Sequence, residues 1–516
     1  MQRMNGIDPM FVYSETPVTP MEVAYACIFD PTTAPGGYSF DAVRAVLAER
    51  VPLLTPFRRR LMPVPLGLDH PRWVDDPDFD LDNHLHRVAL PAPGGEAELA
   101  AMVADVMGRP LDPDQPPWEM YVVEGLEGER VGLIAKIHHS VIDGVAGVQL
   151  LAQLLDVSEE GRPAVVCPPW LPAALPSNAQ LVAAALPNIF TSPLRALHAA
   201  REVGRTALRL ARCALDGQAG PLSVPLGAPS TFEIPVGAAR SVSFAKLSLR
   251  DVRSLKEQFN VTINDVVLAV CSGALRAHLA EHTDDGDDPL VAVVPISVRP
   301  EPADREPADR EPADREAADR LLGNRLSAMF LPLANDLEDP SERLKAIAAT
   351  SASAKAQERA VGYGAMASAV SEAVPPVLAR PMIQLGIQVG ALRRLRTGNL
   401  MISNVPGPNF SLYFAGMRMM AAYPLGPVVD GVALNITVQT YDNAIFVGIN
   451  ACAHAVPGLP SLARSMVAEL DRLIEAADRD YAAMVRAACV AAHPSITSRH
   501  RPRRRSPVAV LLGEAS

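Results

Sequence analysis

Apolar residues recur at helical spacing from residue 40, where Val43, Val46 and Leu47 share one side of a segment that predicts a helix over 40–54. Residues 131–139, VGLIAKIHH, read as a strand, followed by Gly144 and an apolar helix predicted over 145–155. This alternation predicts an α/β unit over residues 1–160. A second unit is predicted over 241–485, with helices at 248–259 and 264–281 and a strand at 290–298. Near its end Val432, Leu434, Ile436 and Val438 alternate with Ala433, Asn435, Thr437 and Gln439, and a Tyr441-Asp442-Asn443 turn leads into Ile445, Val447 and Ile449. That is the pattern of a hairpin with a polar face. Between the units, residues 161–240 are rich in proline and predict a linker carrying a helix at 194–215. The uncharged stretch 163–194 is long enough to span a bilayer, but its seven prolines argue for a linker instead.

Composition narrows the class. The chain has 516 residues, 49% of them hydrophobic, and a net charge of -11. That apolar content is too high for a disordered chain, and the acidic balance argues against nucleic acid as a partner. Cys27, Cys167, Cys213, Cys271, Cys452 and Cys489 lie far apart with no CxxC pair, so no metal cluster or disulfide framework is predicted and a reducing compartment fits. The N-terminus lacks the apolar run of about 7 to 15 residues of a signal peptide, which predicts a cytoplasmic protein. Residues 301–320 repeat EPADR three times and then EAADR, too short a period for a solenoid, and predict an expanded surface loop without chemistry. Residues 486–516 predict a disordered basic tail, with five arginines between Ser498 and Arg505.

The chemistry concentrates in His138, His139, Asp143 and Gly144, a HHxxxDG string at a strand-to-helix junction. Random order would produce this pattern in such a chain about once in a thousand cases. If His139 shares a strand face with Ile137, Ala135 and Leu133, His138 points the other way with Lys136 and Ile134, so only one of the two serves as base at a given site. An unperturbed pKa near about 6.5 suits histidine to that work, and positioned proton transfer is worth about 10² to 10⁴ in rate. The bland alternative is a buried pair satisfying hydrogen bonds at a strand end; the position before a turn, with Asp and Gly following, favours function. Asp143 either orients a histidine, as in a triad, or pairs with an arginine and fixes the turn, and the second role is favoured. The chain has no GxSxG, GK[ST] or HExxH. A histidine base without serine, cysteine or metal then points to group transfer by direct attack of an activated hydroxyl, amine or thiol.

HHSVIDG resembles the HHxxxDG motif of the coenzyme A-dependent acyltransferase superfamily, which includes chloramphenicol acetyltransferase and the condensation domains of peptide synthetases. Within it the chain resembles the bacterial wax ester synthase/diacylglycerol acyltransferases. The likeness rests on GIDPMFVYSETPVTPM near the start, PLDPDQPPWEMYVVEGL ahead of the strand, NDVVLAV at 264–270, PISVRP at 295–300, LLGNRLSAMFLPL at 321–333 and SNVPGP at 403–408. Order and spacing hold over residues 4–480. The chain departs at Pro117, which stands inside what the family writes as PLW, in the EPADR repeats and in the arginine tail, none of which is expected to touch the HHxxxDG string.

The resemblance implies an α/β fold of two chloramphenicol-acetyltransferase-like subdomains with a central channel and the motif at its middle. It implies His139 as general base, with His138, Asp143 and Gly144 structural and Arg299 as a partner for Asp143. The substrates it implies are long-chain acyl-CoA and diacylglycerol or a long-chain alcohol, with no resident cofactor. A non-catalytic paralogue that binds acyl-CoA or neutral lipid, and transfer to another hydroxyl or an amine, are the alternatives. Asn264 and Asp265 open an apolar helix, where Asn264 either caps it or serves the channel; Ser403, Asn404 and Gly407 form a polar turn that caps a strand or lines the channel. Trp118 is expected to pack.

On the predicted helix 194–215, Arg201, Arg205, Arg209 and Arg212 form a stripe, and Leu194, Leu197, Leu208 and Leu215 supply an apolar side. Such a helix either packs between domains with a solvated arginine face or lies peripherally on an anionic membrane or lipid-body surface.

Overall fold

The computed structural model describes residues 1–142, 147, 150, 153–162, 172–215, 230, 232–282, 288–297, 324, 326–361, 363–395 and 398–492. The EPADR repeats, the end of the basic tail and most of the predicted helix over 145–155 lie outside them. The strands, in chain order, are β1 (Gln2–Arg3), β2 (Glu22–Asp30), β3 (Arg59–Met62), β4 (Arg72–Asp75), β5 (Leu85–Ala89), β6 (Trp118–Glu124), β7 (Val131–His138) and β8 (Arg240–Ser248). They continue with β9 (Val291–Ser297), β10 (Leu326–Pro332), β11 (Leu400–Val405), β12 (Tyr413–Phe414), β13 (Met417–Leu425), β14 (Leu434–Tyr441) and β15 (Ala444–Cys452). Two six-stranded sheets result, ordered β12-β13-β2-β7-β6-β5 and β10-β9-β11-β14-β15-β8, beside a small sheet β1-β4-β3.

In the first sheet, β7 pairs antiparallel with β2 on one side and β6 on the other. Its apolar run is nearly unbroken because both faces are covered. Leu133, Ala135 and Ile137 share a core with Val43 and Leu47 of the helix Phe40–Arg50, while Ile134 packs on the opposite face with Leu99 and Val103 of the helix Glu96–Gly108. Ser39 caps the first of these helices, accepting from the Ala42 N–H at 3.4 Å. That helix stops at Arg50, short of the predicted 54, because Pro52 cannot continue it and the chain tightens into a 3₁₀ turn at Val51–Leu53.

The second sheet packs on the helix Ile263–His282, whose Val266, Val267, Val270 and Leu275 lie in the core with Leu462 and Met466 of the helix Leu459–Ala492. Among the described residues Ile263–His282 is long and apolar enough to cross a membrane, but it is largely buried inside the second unit. The predicted hairpin is present as β14 and β15, joined at Asp442 and Asn443 with φ of 41° and 62°, the left-handed pair that a two-residue turn requires. Its polar face is turned inward: Asn435, Thr437 and Gln439 are buried, the Asn435 amide donates to Pro427 O at 2.9 Å, and the Thr437 hydroxyl donates to Asn435 at 2.8 Å.

Two placements differ from the sequence reading. Strands β12 and β13, inside the unit predicted over 241–485, join the first sheet, where β13 runs antiparallel to β2. Tyr441 braces this exchange, donating its hydroxyl hydrogen to Met419 O and accepting from the Leu412 N–H, each at 2.9 Å. The linker reading of 161–240 is also corrected, because one helix runs from Asn178 to Leu215 with Pro187 and Pro193 inside it. Tertiary bonds offset the proline cost. Arg72 donates to Ala184 O at 2.7 Å and the Asn188 amide to Asp69 at 2.6 Å, while the Thr191 hydroxyl bonds back to Pro187 O at 3.0 Å.

Candidate active site

The two histidines at the end of β7 part company. His138 is the last strand residue and is buried; its N–H donates to Pro117 O at 3.0 Å. Pro117 therefore touches the motif, contrary to expectation, but through a main-chain carbonyl that any residue supplies. The His138 Nδ1 accepts from the Ser140 N–H at 3.1 Å, which leaves the ring proton on Nε2, facing the Glu15 carboxylate at 3.4 Å. Beside it lie Glu22, whose carboxyl burial pushes up against the pull of Lys136, and Lys136, whose ammonium burial pushes down. Glu22 accepts from the Leu111 N–H at 3.0 Å and Lys136 donates to Arg109 O. His138 thus belongs to a buried polar layer behind the site.

His139 sits one residue past the strand, half-buried, on the other side. Its main chain is held from both units: its N–H donates to Met21 O at 2.7 Å, and its carbonyl accepts from the Asn324 amide at 2.7 Å. The Asn324 N–H and amide also donate to Asp8 Oδ1, at 2.8 and 2.7 Å. The imidazole stacks on Phe11 of the helix Asp8–Ser14, with centroids 4.4 Å apart and planes 4° from parallel. It forms part of the wall of a cavity of about 810 Å³. The rest is mainly apolar: Met10, Phe11 and Met21 from the N-terminal side, and Val293, Met329 and Ile383 from the second unit's portion of the chain. Ser327 of β10 also lines it, with its hydroxyl buried.

The other predicted site residues distribute differently. Asp143, Gly144 and Arg299 lie outside the described residues. Thr262, not Asn264, precedes the helix and caps it: its hydroxyl accepts from the Asp265 N–H at 3.2 Å, and Asp265 Oδ2 accepts from the Thr262 N–H at 2.9 Å. Asp265 is therefore occupied with the helix start. The Asn404 amide donates to Asn264 at 3.4 Å, tying the polar turn to that helix, and neither these two nor Ser403 is among the residues that line the cavity with His139. Gly407 is required by packing, since a Cβ there would collide with Thr440 O. Trp118 packs as expected, edge-on to Phe57 with its indole N–H donating to Phe57 O at 2.9 Å. Sequence reasoning does not single out Asp8, Phe11, Asn324 or Ser327. They lie in GIDPMFVYSETPVTPM and LLGNRLSAMFLPL, two segments that carry the family resemblance, but these are about 300 residues apart and nothing local shows that they meet at His139.

The arrangement of two sheet-bearing units has counterparts among solved structures. The fold matches the wax ester synthase/diacylglycerol acyltransferase from Marinobacter aquaeolei VT8 with a TM-score of 0.65, at 24% identity over 93% of this chain and 100% of that one. It also matches the first condensation domain of the calcium-dependent antibiotic synthetase with a TM-score of 0.55, at 15% identity over 92% and 96%. The class is thus a mixed α/β fold of two chloramphenicol-acetyltransferase-like subdomains.

Sequence carries the assignment further. Residues 4–267 match the model of the wax ester synthase/diacylglycerol acyltransferase catalytic domain, and 322–474 that of the WS/DGAT C-terminal domain. A Mycobacterium tuberculosis protein named "Putative diacyglycerol O-acyltransferase Rv1760" is 37% identical over 493 residues, covering 93% of this chain and 91% of its own. Another from that species, "Putative diacyglycerol O-acyltransferase Rv3087", is 34% identical over 483 residues, covering 92% and 98%. The chain belongs to the wax ester synthase/diacylglycerol acyltransferase family.

Proposed function

We propose that this protein is an acyl-CoA:diacylglycerol O-acyltransferase that also esterifies long-chain alcohols. The observation that carries the reading is the placement of the His139 ring on the wall of an apolar cavity of about 810 Å³, where a long acyl chain and a lipid acceptor can meet a base. His139 takes the acceptor's hydroxyl proton as the oxygen attacks the thioester carbonyl. The tetrahedral intermediate collapses with cleavage of the C–S bond, and the imidazolium returns the proton to the departing thiolate. No acyl-enzyme forms, which agrees with a sequence that offers no activated serine or cysteine nucleophile. The buried layer of His138, Glu22 and Lys136, with the partly exposed Glu15 at its edge, positions the strand end without entering the reaction.

Purified protein given labelled long-chain acyl-CoA and diacylglycerol is expected to form triacylglycerol, identified by mass spectrometry. No neutral-lipid product alongside a working positive control would refute the reading, and a product with an amine or a different hydroxyl would reassign the acceptor.

The cavity makes a second prediction. Gly386 lines it, and a Cβ there meets nothing closer than Ala391 at 3.9 Å, so a larger side chain has room to grow into the space. Gly386→Leu is expected to shift preference toward shorter chains by about tenfold in relative kcat/KM, the worth of one or two methylenes of lost burial. Rates across a series of acyl-CoA lengths check this, and an unchanged profile would place the chains elsewhere.

A further inference from the structure

One side chain joins the two sheets at His139. Asn324 stands just before β10, the edge strand of the second sheet, and is buried. Its carboxamide spends both hydrogens at 2.7 Å, one on Asp8 Oδ1 and one on the main-chain carbonyl of His139, and its own N–H adds a bond to Asp8 Oδ1 at 2.8 Å. The amide has a single workable orientation, since turning it over would set Oδ1 against two acceptors. In that orientation Oδ1 is buried with no partner among the described residues, so the side chain serves through its two N–H groups.

Each element held by this clasp carries part of the site. The helix Asp8–Ser14 brings Phe11, on which the imidazole stacks, and β10 brings Ser327 and Met329 to the cavity wall. His139 lies past the last residue of β7, so its N–H is fixed by Met21 O and its carbonyl by Asn324. A residue has only two soft backbone torsions, and holding the peptide planes on both sides sets the direction in which its side chain leaves the backbone. On the far side of the clasp lies a second cavity, of about 320 Å³, with Arg3, Asn5, Ser140 and Glu372 in its wall beside Asp8 and Asn324. Being polar, that cavity can supply water to the groups a broken clasp releases, so cutting the clasp costs position more than stability.

We propose that Asn324 is a positioning residue for acyl transfer, which sets the His139 imidazole against Phe11 in the geometry that proton transfer needs. The inference rests on the general-base reading above. Misplacing a reacting group by about 1 Å costs about 10² in rate. Binding of the acyl chain rests on the apolar wall and does not pass through the clasp. Other residue types fail at this position for stated reasons: aspartate would face the Asp8 carboxylate with a second one, leucine has the size but no donor, and glutamine would push the two partners apart by a methylene.

Steady-state kinetics on the full-length chain test this. Asn324→Ala is expected to lower kcat about 10²-fold with KM for acyl-CoA changed by less than about twofold. Asp8→Asn, which keeps an acceptor oxygen, retains more of the rate than Asp8→Ala, which does not. The decisive comparison is made in a His139→Ala background. Because Asn324 acts through the imidazole, adding Asn324→Ala there lowers the residual rate by less than about twofold. A further loss of about 10² in that background, or a folded Asn324→Ala with wild-type kcat, overturns the proposal. Melting temperatures show which variants are folded, and Asp8→Ala in the same two backgrounds serves where Asn324→Ala is not. Crystal structures of the wild type and of Asn324→Ala give a readout apart from activity: a ring displaced from Phe11 in the variant is expected, and a ring stacked as in the wild type overturns the proposal. A wild type that transfers no acyl group overturns the acyltransferase reading, and the two crystal structures still decide whether Asn324 places the ring.

Discussion

His139→Ala lowers acyl transfer by about 10² to 10⁴-fold while acyl-CoA binding is largely kept. In the proposed mechanism the ring supplies the base, whereas the bonds that place this residue, to Met21 and from Asn324, are made by its main chain and survive the substitution. His138→Ala has a different signature. It strips a partner from the buried Ser140 N–H and from the partly exposed Glu15, a loss of about 1 to 3 kcal/mol in stability, with the remaining folded protein expected to stay active. Initial rates, acyl-CoA titration and denaturation midpoints on both variants separate the two. Equal loss of rate in two fully folded variants would remove His139 from its role.

The largest stability effect is expected in the core of the second unit. Arg343 and Glu469 form an ion pair that is almost wholly buried, joining the helices Pro340–Val361 and Leu459–Ala492. Burial pushes the Glu469 carboxyl up and the Arg343 guanidinium down, each opposed by the other's charge, so the pair survives on mutual attraction. Glu469→Ala leaves a guanidinium in the core without its counter-charge and is expected to cost about 3 to 5 kcal/mol. Gly273→Ala acts on the same spot, since a Cβ there would collide with both charged groups. Lys345→Ala, which removes an exposed pair with Asp480 at 3.1 Å, costs less than about 1 kcal/mol. Urea midpoints order the three, and a Glu469→Ala midpoint equal to the wild type would contradict the argument.

The opposite placement of the adjacent histidines is legible in the sequence, because side chains alternate along a strand whatever it pairs with. The HHxxxDG string and the hairpin at 442–443 are legible for the same kind of reason: both depend on neighbours in the chain. The start of the helix at 262–265 is legible only to within two residues, with Thr262 doing the capping that was one of the two roles open to Asn264. Both residues are polar and near the first turn, and only geometry shows which hydroxyl or amide faces the open N–H groups.

Period, turn chemistry and motif spacing are properties of a few consecutive residues, and they locate β7, the hairpin and the helix 249–259 and separate the two histidines. They do not reveal that β13 leaves its own unit to pair with β2, that the proline-bearing segment 178–194 is helical, or that the polar face of β14 is buried. Each of these depends on partners outside any local window or on how the sheets pack: Ala24–Asp30 for β13, Asp69 and Arg72 for the long helix, and for Asn435 the covering chain that brings Pro427 onto it. The setting of His139 belongs to the same class. Phe11, Asn324 and the cavity wall meet it because two sheets pack together, and the free energy of that packing is not a property of any window of the chain.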